Sequence, residues 1–119
     1  MKSKIVLMSF GFKYGMPNSN YYFDVGFVKN PARESKWGFF SEVTDDMRQF
    51  VLSQAPVQEF LKHVVPLIVF LCTIDQNQVV AFGCSAGRHR SFILVDVLAE
   101  CLAQEGVHVE VRHRDKGVE

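Results

Sequence analysis

The chain has 119 residues, 48% of them hydrophobic, with 13 basic and 13 acidic side chains and a formal net charge of zero. That length suits one domain around one core, so residues 1–119 are expected to form a single unit. The charge balance excludes a general basic footprint on nucleic acid, leaving room only for a local patch. Three cysteines, at 72, 84 and 101, are odd in number and lack metal-ligand spacing, which argues against a disulfide framework and a metal site and points to a reducing cytoplasm.

Residues 5–10 read as a first, buried strand, preceded by no signal-peptide core, and the chain is expected to be complete from Met1. Residues 11–20 are turn-rich and irregular. A second strand is expected over 21–27, with Asp24 inside it. Residues 32–43, which include Trp37, read as a loop with an aromatic anchor. Thr44 is a good N-cap, with Asp45 and Asp46 in the first turn, where carboxylates favour the helix dipole. Pro56 suits the first turn of a second helix. Its apolar spacing continues through Pro66, so one kinked helix is expected. The longest apolar run, 64–72, falls short of the roughly 20 residues a bilayer requires, and no membrane partner is expected. Cys72 and Cys101 lie in apolar helical contexts and read as small core residues.

Residues 79–82 read as the third strand, 91–105 as the clearest helix with Gly106 as its C-cap, and 107–111 as the fourth strand. The fold class expected is α/β: a small mixed or largely parallel sheet of about four strands with flanking helices. Its C-terminal half is a βαβ unit whose strands are expected to pair in parallel.

The stretch from Gly83 to Ser91, Gly-Cys-Ser-Ala-Gly-Arg-His-Arg-Ser, carries the chemistry. A strand followed by a small-residue turn and a helix start aims free N–H groups at one point, a geometry that binds phosphate. Gly87 permits the tight turn. Arg90 can take two phosphate oxygens in a fork, with Arg88 and His89 beside it. Ser91 is a candidate helix N-cap, ligand contact, or both. Cys84 has two readings. It closes the strand, or it serves as a low-pKa nucleophile with Arg90, because the string resembles the Cys-x5-Arg-Ser loop of cysteine-dependent phosphatases. Against the second reading, Gly83 stands where that family has histidine, and Trp37 is followed by Gly38, so no Trp-Pro-Asp acid loop is present.

A second resemblance covers more of the chain. Ser9-Phe10-Gly11-Phe12-Lys13-Tyr14-Gly15, Phe23-Asp24-Val25-Gly26-Phe27-Val28-Lys29-Asn30-Pro31, the Gly83 to Ser91 turn and Val111-Arg112-His113-Arg114-Asp115 occur in that order. Together they resemble the C-terminal domain of the RNase adaptor RapZ and its YvcJ-type relatives. The resemblance implies an α/β domain binding glucosamine 6-phosphate, in a pocket including Lys13, Asp24, Cys84, Ser85, Ala86, Gly87, His89 and Arg90. It also implies homo-oligomers and contact with small RNA and a ribonuclease, with Arg112, His113 and Arg114 as a local RNA or anion patch. The chain departs from the family pattern at Gly26 (arginine there), Ala32 (commonly histidine) and Ser85-Ala86 (usually Thr-Gly), and has no Gly-x4-Gly-Lys-Ser/Thr loop. The expectation is therefore a non-catalytic cytoplasmic sensor of a phosphorylated amino sugar, or of another phosphate or sulfate anion, without a cofactor. The phosphatase is the alternative.

Overall fold

The computed structural model describes residues 4–75 and 77–116. Its strands are β1 (Lys4–Gly11), β2 (Tyr21–Asp24), β3 (Gln78–Cys84) and β4 (His108–His113). Its helices are α1 (Asp45–Leu52), α2 (Ala55–Ile74) and α3 (Arg90–Gln104), and 3₁₀ turns occupy Phe12–Tyr14 and Pro31–Arg33. The four strands are all parallel, in the order β2-β3-β1-β4. This is the α/β architecture expected from the sequence.

β1 takes the interior because it is apolar on both faces, as a strand covered on both sides must be. Ile5 and Leu7 join Val80 and Phe82 of β3 in the core beneath Ile93, Leu94 and Leu98 of α3. The alternate residues Val6, Phe10 and Ala81 are also buried, on the opposite face. That face is crossed by the return from β1 to β2, where the Phe12 ring sits 4.9 Å from Phe10 and 6.3 Å from Tyr22.

Two expectations need correction. The strands of the C-terminal βαβ unit are parallel but do not pair with each other. Both pair with β1, which lies between them, and α3 packs on all three strands. The β1-to-β2 and β3-to-β4 connections overlap in projection without colliding, because one uses each face. β2 also stops at Asp24 rather than continuing to residue 27. The Asp24 carboxylate accepts the Gly26 N–H at 2.8 Å and turns the chain, a common role for aspartate at a strand end.

The helix signals hold. Thr44 Oγ1 accepts the Met47 N–H at 3.3 Å as N-cap of α1. α2 is a single helix of 20 residues with a proline in its first turn and Pro66 inside it. It is long and apolar enough to cross a membrane by length and composition. Even so, Val57, Val64, Ile68 and Leu71 on its inner face belong in or against the core. Gly106, at φ 80°, follows α3. Its N–H donates to Ala103 and that of Val107 to Leu102, a Schellman ending. Trp37 anchors the long loop against Phe50, with ring centroids 5.6 Å apart.

Candidate functional site

The strand register sets up the site. Gly11 lies opposite Cys84, Asp24 opposite Gly83, and Ser9 opposite His113, so the C-terminal ends of all four strands share one edge. Ligands of open parallel sheets bind at that edge.

The turn after β3 is built by close backbone packing. Gly87 has φ 72°. A Cβ there would lie 2.6 Å from the Gly11 nitrogen and 2.7 Å from the Phe10 carbonyl carbon. A Cβ on Gly11 would lie 2.4 Å from the carbonyl carbon of Ala86. The Lys13 N–H donates to the Ser85 carbonyl at 3.2 Å. The end of β1 and the turn are therefore held against each other with no room for side chains.

α3 begins at Arg90 with His89 as its N-cap, and no side chain caps it. Among the described residues the first-turn N–H groups have no side-chain cap, and uncapped first-turn N–H groups are the kind that can bind an anion. Ser91 is not the N-cap. It lies inside α3, fully buried, with its Oγ 3.5 Å from the Phe10 carbonyl and 3.3 Å from Cys84 Sγ. Cys84 is itself 2% exposed. Both side chains stitch the turn to β1.

Around this turn lies a cleft of about 250 Å³ lined by Lys13, Asn30, Ala32, Arg33, Phe39, Cys84, Ser85, Ala86, Arg88, His89 and Arg90. Among the described residues its lining contains no carboxylate. Lys13, Arg33 and Arg90 form no ion pair among the described residues, whereas Lys4, Arg48, Arg112 and Arg114 each sit beside a carboxylate. Phe39 separates two of the cations. Its ring centroid is 5.0 Å from Lys13 Nζ and 4.9 Å from the Arg88 guanidinium, and Arg88 Nε donates to the Phe39 carbonyl at 2.9 Å. Arg90 braces the wall by donating to the carbonyls of Gly26 at 3.2 Å and Val28 at 3.4 Å.

His89 is buried, and its Nε2 donates to the Ser41 carbonyl at 2.8 Å. That bond occupies one ring nitrogen, so its contact with an anion is limited to the backbone N–H or the other nitrogen. Burial lowers its pKa below the ordinary 6.5. The Ser41 carbonyl opposes that shift, and the neighbouring Arg88 and Arg90 charges add to it.

The other expected residues fall differently. Asp24 is exposed and occupied with the Gly26 N–H, and it does not line the cleft. Arg112, His113 and Arg114 do not form one patch. Arg112 pairs with Glu110 on the open side of β4. Arg114 binds Asp115 and the Gly15 carbonyl. His113 turns inward, with Nε2 2.9 Å from Asp96 Oδ1, Nδ1 2.6 Å from Ser9 Oγ, and its ring stacked on Phe92 at 3.8 Å. Ser9, His113 and Asp96 resemble a hydrolase relay, but Ser9 is fully buried, so the set acts as a clasp joining β1, α3 and β4.

Asn30, Arg33 and Phe39 line the cleft without having been expected there. One local signal existed: Asn30-Pro31 is a helical-turn start, and Asn30 Oδ1 accepts the Ala32 N–H at 3.0 Å. That turn points the chain back across the site. No periodicity in the loop reveals that it returns to a turn some fifty residues further on.

Comparison with known proteins agrees with this arrangement of motifs. A family model described as the RapZ C-terminal domain matches residues 3–117. A nucleotide-binding protein of Dictyoglomus thermophilum is 35% identical over 117 residues, covering 93% of this chain and 40% of its own. One of Lachnoclostridium phytofermentans is 37% identical, with 93% and 41% covered. One of Fusobacterium nucleatum is 36% identical, with 94% and 42% covered. The chain thus spans about two fifths of the length of these relatives. With the family model matched across nearly all of its length, the chain belongs to the RapZ C-terminal domain family.

Proposed function

We propose that this domain is a regulatory binding module for a phosphorylated sugar, with an amino-sugar phosphate such as glucosamine 6-phosphate as the first ligand to test. The observation that carries the proposal is the cleft over the start of α3, where Lys13, Arg33 and Arg90 converge and, among the described residues, no carboxylate lines the wall. The loop N–H groups and cations would hold the phosphate, and Asn30 and Ser85 offer hydrogen bonds to sugar hydroxyls. No step of this reading needs a cofactor. A reducing cytoplasm suits three cysteines that form no disulfide among the described residues.

A thermal-shift titration with glucosamine 6-phosphate, glucose 6-phosphate and sulfate tests the reading. Saturation at one hundred times Kd stabilises a binder by about 2.7 kcal/mol. Lys13→Ala should weaken binding without unfolding the protein, since Lys13 is exposed. Failure of all three anions to stabilise the protein removes the proposal. Self-association is part of the same reading and is checked by sedimentation velocity.

The alternative, a cysteine phosphatase, draws support from Cys84 at the floor of a Cys-x5-Arg turn. It would need a carboxylate to protonate the leaving group, and the described residues of the cleft lining supply none. Turnover of an aryl phosphate that disappears in Cys84→Ser would favour it over pure binding. RNA contact through residues 112–114 is disfavoured by their separate engagements; a salt-sensitive RNA affinity lost on changing Arg112 would restore it.

A further inference from the structure

We propose that the site takes a ligand bearing two anionic groups, of the class of sugar bisphosphates, rather than a monophosphate alone. This inference rests on the phosphate reading above. A second opening of about 480 Å³ adjoins the cleft and shares Asn30, Arg33, Ser85 and Arg90 with it. The two compartments are therefore contiguous, with Arg33 and Arg90 on their common wall. The second adds Lys29, and its wall includes Gly26, whose N–H is taken by the Asp24 carboxylate.

The charges are unbalanced across the pair. Lys13, Lys29, Arg33 and Arg90 line one or both compartments, against Glu34 as the carboxylate among the described lining residues and Asp24, which sits on the Gly26 N–H at the rim. Lys29, Arg33 and Arg90 make no ion pair among the described residues. Like charges on a shared wall repel one another, and one phosphate in the first compartment would leave Lys29 without an anion of the ligand. Arg90 is fixed between the compartments by its bonds to Gly26, Val28 and Ser85. Those bonds use at most three of the five N–H donors of a guanidinium, leaving donors for ligand oxygens. A second anion in the Lys29 compartment would meet two guanidiniums already ordered by the first.

Isothermal titration with inorganic phosphate, glucose 6-phosphate and glucose 1,6-bisphosphate tests this. The bisphosphate should bind at least about tenfold more tightly than glucose 6-phosphate, equivalent to about 1.4 kcal/mol. Lys29→Ala should remove most of that advantage and leave glucose 6-phosphate affinity nearly unchanged. The variant should fold, because the Lys29 contact with Gln54 is made by its backbone N–H. Lys62→Ala, an exposed change on α2, should keep the advantage. Equal affinity for the two sugar phosphates, or an advantage untouched by Lys29→Ala, overturns the two-anion inference and leaves the phosphate reading standing. Absence of binding by all three overturns both.

Discussion

Gly87 shows how little freedom the turn after β3 has. Its left-handed backbone and its contact with Gly11 and Phe10 leave no space for a methyl group on either count. Gly87→Ala should cost about 2 kcal/mol or more in urea denaturation and abolish anion binding, since the turn must open to fit the Cβ. His89 gives a second residue-scale test. Its folded pKa lies below the unfolded 6.5, so as pH falls through about 6.5 the unfolded chain takes up a proton that the folded one resists. Stability associated with His89 is complete above that pH and declines below it. His89→Gln, which keeps a donor for Ser41, should flatten the fall in melting temperature between pH 7 and 5; an unchanged slope would assign the acid sensitivity to other groups.

The elements are held by different means. α1 depends on its Thr44 cap, and Thr44→Ala should lower stability by about 1 kcal/mol. β4 is an edge strand with a half-exposed face, and what fixes it is the His113 clasp. His113→Ala removes the Phe92 stack and leaves the buried Ser9 hydroxyl and the Asp96 carboxylate without this partner. A loss of about 2–4 kcal/mol is expected in chemical denaturation, as for breaking a buried polar network, while Arg112→Ala one position earlier should be nearly silent. Equal effects of the two changes would show that the clasp contributes nothing special. The loop after Asn30 is the element whose role sequence periodicity could not reveal. Its side chains alternate with no core stripe, and its destination is set by long-range contacts of Phe39 and Ser41 with Arg88 and His89.

Across the whole molecule, net charge is zero, while Lys13, Arg33 and Arg90, which form no ion pair among the described residues, gather at the C-terminal edge of the sheet. Anion binding should therefore weaken as ionic strength rises, even though the protein as a whole is electrically balanced. A titration series in increasing sodium chloride measures this, and affinity independent of salt would argue for contacts made by neutral N–H groups alone. By themselves, the residues determined the helices, the strand count, the α/β class and the glycine-built turn after β3. These follow from local rules: apolar periodicity, proline and threonine caps, and glycine where φ is positive. Only the tertiary structure decided that β1 separates the two strands of the βαβ unit, that Arg33 and Phe39 complete the cleft, and that Asp24, Ser91 and His113 are engaged elsewhere. Those outcomes depend on which distant backbone or carboxylate a polar group meets first, and local sequence does not encode that distance.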